Sequence, residues 1–171
     1  MFCKFPFLLI SMFLLSNSLC AQIADLEEKK PVSIDGVEYG YVVKNEQTKN
    51  NKGEEYSRYE ISLYATNRSG CTKLFADRTG SYSLDAPNLL ATFNCTNANG
   101  KRLTAKTGTV NAREFNVNVK VKEGDKEVNR YVKAGYIFRN GETVKANIIV
   151  LVPLNQRPVM NFSVNSLPEL Q

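Results

Sequence analysis

From about residue 36 onward, apolar and polar positions alternate with a period of two, as in strands that bury one face. Val37, Tyr39, Tyr41 and Val43 alternate with Glu38, Gly40, Val42 and Lys44. Tyr59, Ile61, Leu63 and Ala65 alternate with Glu60, Ser62, Tyr64 and Thr66, and residues 71–75 read as a short strand. Leu89, Ala91, Phe93 and Cys95 share one strand face. The cleanest strand sets Phe115, Val117, Val119 and Val121 against Asn116, Asn118, Lys120 and Lys122. Residues 128–138 follow it. Val144, Ala146, Ile148, Val150 and Val152 then run as a long strand stopped by Pro153. Residues 159–164, with Pro158 at their start, are expected as a final edge strand.

Turn residues punctuate these runs. The polar stretch 45–55 is read as a hairpin loop. Asn67-Arg68-Ser69-Gly70, Thr79-Gly80-Ser81, residues 97–100 and Glu123-Gly124-Asp125-Lys126 are turns. Asn140-Gly141 is the strongest short-range hairpin signal in the chain. No window of helical length shows a 3.6-residue apolar period. The predicted class is all-β: an antiparallel immunoglobulin-like β-sandwich of seven to nine strands, with a barrel as the alternative closure. Residues 35–171 are read as one domain, preceded by a flexible leader over 22–34, where Glu27-Glu28-Lys29-Lys30 is solvated.

The N-terminus has a different character. Lys4 precedes an apolar run over residues 7–15, and Ser16-Asn17-Ser18-Leu19-Cys20-Ala21 supplies small residues for a cut. This is the pattern of a secretory signal peptide over 1–21, cleaved after Cys20 or Ala21. Leu19, standing directly before Cys20, disfavours lipidation there. No later stretch is apolar and long enough for a transmembrane helix. The expected location is periplasm, cell surface or extracellular space.

Export changes how the cysteines are read. Of four, Cys3 and Cys20 fall to the signal, leaving Cys71 and Cys95. In an oxidising compartment such a pair is expected to form a disulfide, which at about 25 enclosed residues is worth roughly 3 kcal/mol. Two buried thiols are the alternative. A redox pair such as Cys-x-x-Cys is absent.

Composition mainly excludes. The 171 residues are 43% hydrophobic and 23% charged, as in a globular domain. The formal net charge of +5 is modest and dispersed, so no nucleic-acid footprint is read. With no His, Ser-His-Asp and Cys-His catalysis and imidazole metal sites are out. No cofactor and no metal site is expected. Glu123, Asp125 and Glu127 lack the acidic ladder of a calcium loop and read as a solvated turn. Asp77, Asp85, Glu60 and Glu114 are candidates for paired-carboxylate hydrolysis, which needs two carboxyls roughly 5–10 Å apart.

The binding candidates are basic and aromatic. Lys101, Arg102, Lys106 and Arg113 cluster in sequence, and Lys120 and Lys122 share a strand face with Asn116 and Asn118. Tyr64 and Tyr131 are the tyrosines expected to face outward, where aromatics stack on sugars or anchor protein partners. Asn67, Asn94 and Asn161 each head an Asn-x-Ser/Thr acceptor pattern, which matters only in a eukaryotic source.

The segments Arg58-Tyr59-Glu60-Ile61-Ser62, Asn67-Arg68-Ser69-Gly70-Cys71, Leu89-Leu90-Ala91-Thr92-Phe93-Asn94-Cys95, Gly100-Lys101-Arg102-Leu103-Thr104 and Lys133-Ala134-Gly135-Tyr136-Ile137 resemble small exported proteins of flavobacterium-type bacteria. The resemblance covers about residues 36–153 and implies a bacterial envelope location. It carries no catalytic residues. Some of those proteins bear an ABC transporter permease label, which a chain lacking a transmembrane segment does not support. The functional expectation is a non-catalytic binding or structural module for another envelope or secreted protein, working through residues 45–55, residues 101–113 and Tyr64. An acidic-glycan binding protein is the alternative, followed by a His-independent carboxylate hydrolase.

Overall fold

The computed structural model describes residues 23–51, 54–76, 88–96 and 107–164. Eleven strands form among them: β1 (Ile23–Leu26), β2 (Val32–Ile34), β3 (Val37–Asn51), β4 (Glu54–Asn67), β5 (Lys73–Ala76), β6 (Leu89–Thr96), β7 (Gly108–Asn111), β8 (Arg113–Glu123), β9 (Lys126–Phe138), β10 (Thr143–Pro153) and β11 (Val159–Val164). They make three antiparallel sheets, ordered β1-β11-β6-β7, β10-β4-β3-β2 and β5-β9-β8. The all-β, antiparallel expectation holds.

The two four-stranded sheets face each other, and the alternation explains why. Tyr39, Tyr41, Ile61, Leu63 and Ala65 project from one sheet and Phe93, Cys95, Met160 and Phe162 from the other, all buried. Phe162 stands between them, its ring centroid 5.2 Å from Tyr39 opposite and 5.8 Å from Phe93 beside it. Gly108 in β7 lets the sheets close: a Cβ there would lie 2.3 Å from Leu63 Cδ1 and 2.9 Å from Ile148 Cγ2.

Several expectations are corrected. The leader over 22–34 carries two strands. β1 pairs with β11 over Ile23↔Ser163 to Leu26↔Met160, and β2 pairs with β3. That pairing makes β11 an interior strand rather than an edge. Asp35-Gly36 closes the β2–β3 hairpin with φ of +50° and +74°, the type I′ geometry that Asp-Gly favours. The 45–55 stretch is strand up to Asn51 and again from Glu54, so β3 and β4 form one long hairpin. β7 had no alternation long enough to be read.

Asn140-Gly141 does reverse the chain, with Gly141 at φ +76° and Glu142 N donating to Arg139 O at 3.0 Å. It does not close a hairpin. β9 pairs with β8 and β5, whereas β10 pairs with β4. Asn67 sits between them, donating from its N–H to Glu142 O and accepting from Gly141 N.

The cleanest alternating strand is not in the core. Beyond Phe115↔Gly135 the β8–β9 register shifts at a bulge over Ala134. From Asn116↔Lys133 onward the two strands form a ribbon in which no residue is buried. β5 covers only Gly135–Phe138 of β9, so the ribbon extends past β5, and neither of its long edges is paired among the described residues.

Candidate functional site

The anticipated binding residues separate into unconnected places. Lys101, Arg102 and Lys106, and the carboxylates Asp77 and Asp85, lie outside the described residues. Arg113 opens β8, and its Nε stands 2.6 Å from Oε1 of Glu142. That oxygen is buried and has no well-directed hydrogen bond, so the guanidinium is its charge partner. Oε2 of the same carboxylate accepts from Arg139 N at 2.8 Å. Arg113 is thereby committed to holding the β9–β10 turn. Glu60 and Glu114 lie in different sheets, each beside a cation: Arg58 at 2.6 Å and Lys133 at 3.9 Å. They do not form a carboxylate pair. No cluster able to hold a metal occurs among the described residues.

The disulfide expectation is corrected. Cys71 and Cys95 are free and not within bonding distance. Cys71 is exposed beside the Asn67 corner, where its carbonyl accepts from Asn67 Nδ2 at 2.9 Å, and Asn67 pairs with Val37. Cys95 is buried in β6, near enough to Tyr41 to act on its charge. Four residues of β3 separate Val37 from Tyr41, about 13 Å at strand rise. A bridge needs Cα atoms within about 7 Å. Burial pushes the Cys95 thiol up to about 11. A maleimide at pH 7.5 is therefore expected to label one cysteine in the folded chain from residue 22 onward, and two in denaturant without reductant. No labelling in denaturant until reductant is added would show a bridge instead.

Lys120 and Lys122 stand on one face of the β8–β9 ribbon. Partners directly opposite share a face, so Asn116, Asn118, Lys120 and Lys122 join Lys133, Tyr131, Asn129 and Glu127. Tyr131 is 80% exposed there, as its polar neighbours suggested. Lys120 pairs with Glu127 at 3.4 Å. The other face carries Val117, Val119, Val121, Val128 and Val132, with Arg130 bound to Glu123. Val128 and Val132 are exposed and the β8 valines half-buried, with no second layer over them among the described residues.

Tyr64 lies on the outer face of the β10-β4-β3-β2 sheet, in a shallow cleft of about 380 Å³ lined by Val42, Lys44, Ser62, Tyr64, Thr66, Thr143 and Lys145. The register sets Lys145, Tyr64 and Gly40 in one row across three strands. Tyr64 lies flat over Gly40, where a Cβ would meet its Oη at 2.5 Å and Cζ at 2.6 Å. Burial, and then the Glu38 carboxylate, raises the Tyr64 phenol above its ordinary value, so it stays a neutral donor. Thr66 and Thr143 hydroxyls meet at 2.9 Å at one end. At the other, Val43 pairs with Ile61 and Asn45 with Glu60, leaving Lys44 as the extra residue of a bulge.

A second cleft of about 440 Å³ opens at one end of the sandwich, lined in part by Tyr41, Tyr59, Glu46, Glu28 and Arg157. Tyr59 Oη donates to Glu46 Oε1 at 2.6 Å. Burial, and then that bond to Glu46, raises the Tyr59 phenol. Sequence reasoning missed both clefts, because their walls come from strands far apart in the chain. Of the acceptor asparagines, Asn67 is wholly buried, leaving no room for a glycan on its side chain in the folded protein.

No protein-family model, no curated protein and no solved structure matches the chain.

Proposed function

We propose that this is an exported, non-catalytic binding module on an immunoglobulin-like sandwich, and that the β8–β9 ribbon is its working part. The observation that carries the reading is the valine face of that ribbon. An isolated two-stranded ribbon is marginally stable in water, because it has no layer against which to bury its apolar face. Here Val117, Val119, Val121, Val128 and Val132 line one face, and among the described residues no strand pairs with either ribbon edge. Unprotected edges invite strand addition.

The occupant is an extended segment of another envelope or secreted protein, added along β8. Five partly covered valines fall well short of the roughly 800 Å² per partner of a standard interface. Backbone hydrogen bonds along an added strand supply what the valine face lacks. Residues 116–133 hold five cations (Lys120, Lys122, Lys126, Arg130, Lys133) against three acids (Glu123, Asp125, Glu127), so the segment is neutral or acidic.

The test replaces residues 116–133 by Asn-Gly, joining Phe115 to Ala134. Since no residue removed is buried, the melting temperature is expected to stay within about 3 °C. Crosslinking of the full chain in envelope extract of its source is expected to give one adduct mapping to β8. That adduct should vanish in the shortened chain and in a Val119→Asp, Val121→Asp variant. An adduct retained by both variants, a crosslink only to a second copy of the chain, or no adduct at all would overturn the reading.

A further inference from the structure

The cleft around Tyr64 is on a different sheet from the ribbon, and nothing in the ribbon reading uses it. Three features of the cleft have no structural duty. The first is Gly40. Its φ is not positive, so the backbone there does not demand glycine. What glycine supplies is space: any larger residue would push the Tyr64 ring off the sheet. The ring is thereby held flat, one face against Gly40 and the other toward the cleft. The second is the bulge at Lys44. A bulge re-aims a side chain, and here it gives the cleft a lysine at the end away from the threonines. The third is charge. Lys44 and Lys145 line the cleft, and neither has an ion pair among the described residues. The acid acting on Tyr64 among the described residues is Glu38, and its carboxylate is engaged by Arg68 at 3.3 Å.

Lys44 and Lys145 lie two strands and about four residues apart, a backbone separation of about 16 Å at ordinary strand spacing. Two ammoniums so placed do not close on one small ion. They flank a ligand the length of one or two sugar rings, with the Tyr64 ring as a flat surface between them. Aromatic faces stack on the C–H faces of sugars, and the Tyr64 and Thr143 hydroxyls offer hydrogen bonds, Thr143 held by buried Thr66. We propose that the Tyr64 cleft binds an acidic oligosaccharide, its ring on Tyr64 and its carboxylate or sulfate groups on Lys44 and Lys145. Lys120 and Lys122 on the ribbon take no part in it.

The test is titration of the chain from residue 22 onward, at low salt, with an oligouronate of four to six rings. A sulfated dextran oligosaccharide of like length and its unsulfated counterpart form the other arms. Saturable binding of one or both anionic probes is expected, and none of the neutral one. Which anionic probe binds tells carboxylate from sulfate. Lys44→Gln with Lys145→Gln, and separately Tyr64→Ala, should each weaken binding at least tenfold. Gly40→Ala should weaken it by displacing the ring, whereas Tyr64→Phe should cost threefold or less. Lys120→Gln with Lys122→Gln should leave binding unchanged. Each variant's melting curve, taken alongside, separates lost binding from lost folding. Absence of saturable binding by either anionic probe would overturn the proposal. So would binding that survives the cleft variants, or binding lost with the Lys120 and Lys122 pair.

Discussion

Replacing Phe162 by alanine is expected to destabilise the fold by about 3–5 kcal/mol, the range for emptying an aromatic site in a tight core. Phe162 is wholly buried at the midpoint of β11, between β1 and β6. Its ring meets Tyr39 across the sandwich and Phe93 alongside. Neither neighbour can follow it into the gap, because Phe93 is cross-strand to it in the same ladder and Tyr39 is set by its pairing with Ala65. At roughly 2–4 °C per kcal/mol for a chain of this size, the melting temperature should fall by about 6–20 °C. Phe162→Leu should lose less than half of that. A fall under about 3 °C for the alanine variant would mean that the two sheets do not meet at this residue.

Asn67→Ala is expected to be the most damaging polar substitution, costing roughly 3 kcal/mol. Asn67 is wholly buried, yet every polar atom of its side chain is used. Nδ2 donates to Phe138 O at 2.8 Å and to Cys71 O at 2.9 Å. Oδ1 accepts from Ser69 N at 3.0 Å and from Ser69 Oγ at 2.6 Å. One side chain thus fastens the β4–β5 loop to the end of β9, while its backbone holds the β9–β10 turn. Alanine removes the donors and strands a buried Phe138 carbonyl. Chemical denaturation should show a lower midpoint, and amide exchange should rise over residues 68–72 and 139–142. Stability unchanged within about 0.5 kcal/mol would show that water replaces the amide at this corner.

The Asn67 corner and the ribbon mark where local reading ends. Period-two alternation is a property of each strand, so the core faces of β3, β4, β6 and β10 were legible: Tyr39, Ile61, Phe93 and Val150 are all buried. The same alternation told that Val117, Val119 and Val121 share a face. It could not tell whether anything covers that face, because a covering layer comes from elsewhere in the chain, and none of the described residues supplies one. Asn140-Gly141 correctly signalled a reversal, but a turn sets only the local path. Which strands pair is decided by the burial that each pairing allows across the whole fold, and β10 pairs along β4. Asp35-Gly36 carried an equally good signal in short range. The charged residues Glu27-Glu28-Lys29-Lys30 before it mask that signal, because a solvated run resembles a loose leader.

By itself, then, the sequence determined the all-β class, the inward faces of the long strands, and the outward placement of Tyr64 and Tyr131, since each follows from neighbours one or two residues away. The tertiary structure alone decided three things. It set the cysteines apart, Cys71 by the start of β3 and Cys95 four residues further along it, stood the valine ribbon clear of the core, and brought Lys44, Tyr64 and Lys145 into one cleft. Each depends on the register between strands as many as a hundred residues apart in the chain, and that register is fixed by the joint burial of both sheets rather than by any local pattern.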